Sequence, residues 1–356
     1  MKNVRRIALV AVLAGSVVGC SSSKDASSSS IAATTTESVD RTTTVPPTTV
    51  AETAPPTTAA AEPVYPLTGL PITDPVAASR PAMVVKIDNN SRARPQSGLN
   101  AADIVFEEIV EAQTRFAAVF HSQGSDPVGP IRSGRTQDVD LLGSFIRPLF
   151  VWSGGNNTVR SQIEASDLVD LSAQHNAVYS GGGFYRNNDR DAPHNLYAQT
   201  SMLWTLAPAD SSPPPQQFFY LLAGDTAVGE SVVGVDLVMD GLDVGWRYDS
   251  TTGRYLRTTE GDPHLDAASG QISSANIIVM VVEYGSSPGL PGSPEAQTIG
   301  AGEVFVLTGG VLVRGTWSRA DRLSPIVLTD TNGQPIRLTP GNTWVELAKV
   351  NTYTFV

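Results

Sequence analysis

Cysteine is all but missing from this chain of 356 residues: Cys20 is the only one. An intramolecular disulfide is therefore impossible, and a cysteine-based zinc site or paired-thiol redox centre is excluded with it. Histidine is scarce too, at His121, His175, His194 and His264, and no HExxH pair is present. There is no GxSxG elbow and no GxGxxG turn, which removes the usual serine-hydrolase and dinucleotide-binding signatures. We expect no cofactor and no metal centre. Basic residues are outnumbered, 24 against 35 acidic, for a formal charge of −11. That balance argues against nucleic acid as a partner, because neutralising phosphates requires Lys and Arg. Long apolar runs are missing as well. The longest, Ile7 to Val18, falls well short of the ~20 residues that span a bilayer.

What is present begins with an export signal. Lys2, Arg5 and Arg6 precede that short apolar run, the layout of a signal peptide over residues 1–19. It closes on Val17-Val18-Gly19-Cys20, which resembles the lipobox of bacterial lipoproteins. The resemblance implies cleavage before Cys20 and lipidation of its thiol, so the one cysteine is committed to a membrane anchor rather than to catalysis. Two or more acyl chains make such anchoring stable. Residues 20–65 are rich in Ser, Thr, Ala and Pro and lack the apolar surface to offset chain entropy. They predict a disordered, lipidated tether on the outer face of the cell membrane.

The remainder predicts an α+β (mixed α/β) N-terminal domain over 66–224, followed by a β-rich C-terminal domain over 225–356. In the first, Ala82 to Ile87 reads as a strand ending in Asp88-Asn89-Asn90. Residues 104–111 and 115–122 predict a hairpin closed by Ala112-Gln113-Thr114. That register sets Glu111 opposite Arg115 and Glu108 opposite Ala118. It puts Glu108 on a core face with Ile104, Phe106, Phe116 and Phe120, and Glu107, Glu111, Arg115 and His121 on the other. A carboxylate among aromatics is costly unless it is paired or protonated. The nearest candidate partners are Arg132 and Arg135, in Gly129-Pro-Ile-Arg-Ser-Gly-Arg135. Two readings stand side by side. One is a buried ion pair that fixes this loop to the sheet. The other is a site where the arginines, with Ser133, hold an anionic ligand.

Thr136 to Ile146 predicts a helix capped by Thr136. Asp138 and Asp140 complement the dipole in its first turn, which counts against a phosphate there. Leu149 to Trp152 predicts a strand that runs into Ser153-Gly-Gly-Asn-Asn157 and a helix through Ala165. A turn at the carboxyl end of a strand is where α/β sheets often bind ligands. Phe184 to Tyr197 is a polar loop carrying Arg190, His194 and Asn195. It reads either as a surface loop tied by Asx turns, or as a flap in which Arg190 and His194 fold back over the hairpin and complete a polar pocket, for which Asp88, Asn89 and Arg94 are further candidate residues. Further on, Asn276 to Tyr284 and Thr343 to Ala348 read as strands. Thr308-Gly309-Gly310 and Asn332-Gly333 read as hairpin turns.

A glycan hydrolase would use two carboxylates, one with a raised pKa. Glu108 suits that role, with Glu107, Glu111 or Asp88 as the second. The combined stretches Ala82-Met-Val-Val-Lys-Ile-Asp-Asn-Asn, Ala93-Arg-Pro-Gln-Ser-Gly-Leu99, Ala102-Asp-Ile-Val-Phe-Glu-Glu, Thr114-Arg-Phe, Gly129 to Arg135 and Ala192-Pro-His-Asn195 resemble the YerB-like lipoprotein family. Asn276-Ile-Ile-Val and the Gly309-Gly310 to Trp317 hairpin resemble its C-terminal domain. The chain departs from the family at Trp152-Ser-Gly-Gly-Asn156, where a histidine-led glycine turn is associated with it. The resemblance implies a cell-surface lipoprotein with two domains of unknown function and assigns no catalytic residue. The preferred expectation is an envelope protein that binds a cell-wall polymer or a partner protein through the N-terminal pocket. The glycan hydrolase is the alternative.

Overall fold

The computed structural model describes residues 62–288 and 290–356. The expected export signal, Cys20 and the tether as far as residue 61 lie outside the described residues. Val64 bridges Pro71 and Tyr65 is buried, so the last residues assigned to the tether already join the fold. Among the described residues, no helix is long and apolar enough to cross a membrane.

The N-terminal half is mixed α/β and the C-terminal half is strand-rich. In the first half lie β1 (Met83–Asp88), β2 (Ile104–Val110), β3 (Gln113–Phe120), β4 (Leu149–Trp152) and β5 (Val169–Ser172). They run in the order β2-β3-β1-β4-β5, with β1, β4 and β5 parallel. The sheet does not stop at β2. Strand Thr343–Ala348 pairs with β2 in parallel and then with Asn276–Val281. Gly300–Thr308, Val311–Arg319 and Val327–Asp330 follow, and Glu230–Ser231, paired with Val311–Arg319, completes an 11-stranded sheet. A second, six-stranded sheet contains Gly234–Met239, Leu242–Asp249 and Arg254–Thr259.

The central strands are covered on both faces, which explains their near-continuous apolar sequences. Met83, Val85 and Ile87 of β1 pack with Val235, Leu237 and Trp246 of the second sheet. Ala82 and Val84 pack on the opposite side with Leu141, Leu142 and Phe145. Those last residues belong to helix α2 (Gln137–Leu142) and the 3-10 turn after it; α1 is the short helix Pro75–Ser79, and α3 spans Asn157–Glu164.

Two local expectations are corrected. The β2–β3 turn is shorter than predicted, because Gln113 and Thr114 belong to β3 and only Glu111-Ala112 turn. The register moves by an odd number, so the facing residues of β3 exchange sides. Glu108 lies opposite Arg115, Glu107 opposite Phe116 and Phe106 opposite Ala117. Thr136 does not cap α2; its Oγ1 bonds Glu295 and Ser287 instead. The Asp138 carboxylate accepts from the Arg135 amide in its place, at 2.7 Å. In the C-terminal half, Gly309-Gly310 closes a hairpin as expected. After the Asn332-Gly333 turn only Pro335 bridges back, to Thr329, while Arg337–Leu338 pairs with Phe219–Tyr220.

Candidate functional site

Three strands place Asp88, Arg115 and Glu108 in one row across the sheet, as register partners on β1, β3 and β2. All three are buried. Glu108 does not pair with Arg132 or Arg135. Its partner is Lys86, two residues before Asp88 on β1, at 2.6 Å. Lys86 also holds Asp138 of α2 at 2.8 Å, and the Gln137 amide donates to the second Glu108 oxygen. Burial drives the Glu108 carboxyl above its ordinary range, with Lys86 pulling against it. Both of its oxygens are taken and its side chain is 0% exposed, so it presents nothing to a substrate.

Asp88 is held from two sides. His194 places Nδ1 at 2.7 Å from Oδ2, and Arg132 brings Nε to 3.2 Å of the same oxygen. Because Asp88 accepts, the proton of the neutral ring sits on Nδ1, and Nε2 faces away from it. His194 is 4% exposed, and its Nε2 has no partner among the described residues. His194 of the 184–197 loop therefore lies against the end of β1. The segment around Ile131 lies between the end of β1 and Leu196: Ile131 bridges Ile87 and donates to the Leu196 carbonyl at 2.6 Å. Gly129 permits that approach. Its φ is +144°, and a Cβ there would meet the Leu196 oxygen at 2.8 Å.

Arg115 is the unusual member. Lys86 has taken Glu108, while His194 and Arg132 have taken Asp88, so no carboxylate among the described residues pairs with this guanidinium. Its Nη1 donates to the Ser133 carbonyl at 2.9 Å, and its Nε has no partner among the described residues. Burial, then the neighbouring Arg135 and Arg132, push it down to about 10. Around it stand Arg132, Ser133 and Arg135, all partly exposed. Ser153, at the carboxyl end of β4, donates its amide to the Arg132 carbonyl and sets its hydroxyl 3.4 Å from that of Ser133. The parallel strands β1 and β4 thus deliver their carboxyl ends to one patch, as α/β sheets do at ligand sites.

The remaining predicted residues divide. Arg135 grips Glu111, which Ser293 also holds. Burial alone would raise Glu111, but those donors outweigh it and lower the carboxyl to about 2. Arg94 bonds Asn89 and reaches Glu260 of the C-terminal half at 2.8 Å. Arg190 straps the carbonyls of Ala93 and Pro95, and Asn195 ties its own loop through Asn187 and Arg190. Arg190 and Asn195 therefore hold loops in place. Glu107 faces away from Glu108, toward the second sheet. Arg257 bonds both Glu107 (2.7 Å) and Glu346 (2.9 Å), and Glu346 is the register partner of Glu107. Arg257 also donates to His264, whose Nε2 meets Gln96; the Gln96 amide donates to the Asp88 carbonyl at 2.9 Å. A continuous buried polar chain thus links Glu346 to the site. Elsewhere, Glu164, Asp170 and His175 bring potential metal ligands within 4.8 Å of one another at the surface. Asp170 there already accepts from Trp152 and from the Ser172 amide.

The sequence pattern does not single out Lys86, Arg257 or Glu346, and it marks Ser153 only as part of the turn after β4. Lys86 left one signal: it is a lysine inside the apolar strand that ends in Asp88. Arg257 and Glu346 left none, since their contacts reach across some of the longest separations in the chain.

Two family models match: the N-terminal domain of a protein of unknown function, DUF3048, over residues 67–212, and the DUF3048 C-terminal domain over 235–345. The chain is 29% identical over 291 residues to "Putative lipoprotein YerB" of Bacillus subtilis (strain 168), covering 79% of this chain and 85% of that protein. The crystal structure of YerB protein from Bacillus subtilis superposes with a TM-score of 0.72 at 25% identity, over 83% of this chain and all of that one.

Proposed function

The chain belongs to the YerB-like DUF3048 family, and we propose that it is a membrane-anchored envelope lipoprotein that binds an anionic envelope component through the Arg115–Arg132–His194 site. The anchor is supported by the lipobox-like Val17-Val18-Gly19-Cys20 and by the name of the Bacillus subtilis relative. The Ser/Thr/Pro-rich stretch 20–65 supports a tether that carries the folded part off the membrane surface.

One observation carries the binding reading: Arg115 is a buried guanidinium without a carboxylate partner. A charge in that position is costly unless something compensates it. Asp88 and Glu111 compensate it only from a distance, each being bonded to other bases, so the remaining compensation is assigned to a ligand. The glycan-hydrolase alternative is weaker, because Glu108 is enclosed by Lys86 and Gln137 and offers no open acid.

The test is photocrosslinking in intact cells, with a benzophenone side chain at the partly exposed Ser153. An envelope adduct that is lost in Arg115→Met, from protein that Cys20→Ala releases from the membrane fraction, is the expected result. Cytoplasmic, unlipidated protein without an adduct would overturn the proposal. Digestion of purified peptidoglycan that disappears in Glu108→Gln would replace it with the hydrolase.

A further inference from the structure

We propose that the anion taken by this site is a phosphate group, held by Arg115 from below, by Arg132 and Ser133 from one loop and by Ser153 from another, with Nε2 of His194 accepting from a protonated phosphate oxygen. The inference rests on the reading of the patch as an anion site and deepens it to a chemical class.

Charge is the first argument. Arg115, Arg132 and Arg135 bring three positive charges, and Asp88 and Glu111 bring two negative ones. Glu108 and Asp138 are turned onto Lys86, which cancels one of them, and the proton held by the buried, raised Glu108 carboxyl cancels the other. One positive charge is left over, which a singly charged phosphate monoester matches, and its P–OH can donate to the bare Nε2 of His194.

The disposition of donors is the second argument. A carboxylate has two coplanar oxygens, and a single guanidinium fork satisfies it. Here the donors come from three separate segments, the start of β3, the 132–135 loop and the turn after β4, and His194 adds an acceptor. Donors converging from several directions suit the oxygens of a tetrahedral group. The Ser133 and Ser153 hydroxyls, 3.4 Å apart, are weakly satisfied by each other. The unpartnered His194 Nε2 is an independent sign, because a nitrogen buried to this degree is normally hydrogen-bonded. The objection that acids open helix α2 does not apply to Asp138. Its carboxylate is bound to Lys86 and the Arg135 amide and is fully buried.

The experiment uses the full chain purified in detergent. Inorganic phosphate and glycerol phosphate are titrated by calorimetry, with acetate as the carboxylate control. Saturable phosphate binding is expected, weakened about 10- to 100-fold in Arg115→Met, as for loss of a charge-assisted hydrogen bond. A smaller loss is expected in His194→Gln. Arg115→Met should remain folded by circular dichroism, since it removes an unpaired buried charge. If acetate binds as tightly as phosphate, the phosphate inference fails and the anion-site reading survives. If neither binds at about 10 mM, where even an affinity of about −3 kcal/mol would register, both fail. Phosphate binding that Arg115→Met leaves unchanged would place the ligand elsewhere and overturn the assignment.

Discussion

Glu107 and Glu108 are neighbours in sequence and point to opposite faces of one sheet, each into a buried cluster of two carboxylates and one base. Such a cluster holds one negative charge too many unless a proton joins it. On the Glu107 side the proton goes to Glu346. Burial raises its carboxyl to about 8, Glu107 opposite it adds to the rise, and Arg257 opposes it. A carboxyl raised by folding stabilises the protein fully below its unfolded value, and this contribution disappears as pH rises through the folded value. His264 acts in the other direction. Burial and then Arg257 push it down to about 2, so its contribution is complete above the ordinary imidazole range and declines below it. Between the ordinary carboxyl and imidazole values, about 4.5 and 6.5, the two slopes oppose each other, and from there to about 8 only the Glu346 decline remains, so this pair should leave stability level in the first window and falling in the second. Glu346→Gln supplies a neutral group at all pH values. It should reduce the decline above about 6.5 and leave a rise between about 4.5 and 6.5, as read from melting temperatures across that range. An alkaline limb of unaltered slope in the variant would place the shared proton elsewhere.

At the scale of the element, the hairpin shows what was legible. The strands themselves were, because β1 to β4 read as short apolar runs and each of them formed. The mixed α/β half followed by a β-rich half was legible for the same reason. The register was not. The turn carries no glycine or asparagine signal, since Ala112 adopts the left-handed conformation at φ 49°. The polar pair Gln113-Thr114 looks like loop, yet Thr114 is buried and bonds Glu107 and Asn89. Taking those two residues as turn shifts the register by three and gives Glu108 the wrong neighbours. Lysine usually extends its charged end to water, so a lysine sealed inside β1 was not the expected partner. The site was half legible: Asp88, Arg115, Arg132, Ser133 and His194 converge, whereas Arg94, Arg190 and Asn195 support loops around them. Ala112→Gly tests the turn. Relief of a left-handed alanine should raise stability by about 1 kcal/mol, measured by the denaturation midpoint at constant m-value. A loss would mean that Ala112 is not held in that conformation.

Considered as a whole molecule, the chain closes on itself through strand Thr343–Ala348. This strand comes from near the C-terminus and lies between β2 and Asn276–Val281, parallel to both. Without it β2 becomes an open edge, and Glu107 loses the strand that faces it. Side-chain links also cross between the halves. Asp266 accepts from the Gly98 and Leu99 amides at 2.8 Å, and His264 holds Gln96, which in turn fixes the Asp88 carbonyl. The floor of the N-terminal site is therefore set by residues of the C-terminal half. Parallel pairing of strands far apart in sequence leaves no local signal, which is why a composition boundary near residue 225 could be read but this join could not. A shared sheet and a shared buried polar chain predict one cooperative transition. Unfolding followed by tryptophan fluorescence, with Trp152 in one half and Trp246 and Trp344 in the other, should coincide with far-ultraviolet dichroism and with calorimetry. Residues 62–225 expressed alone should lack a cooperative transition, because β2 then ends in an unpaired apolar edge. Two separated transitions in the full chain, or a cooperatively melting N-terminal fragment, would show that the strand 343–348 joins two independently stable bodies.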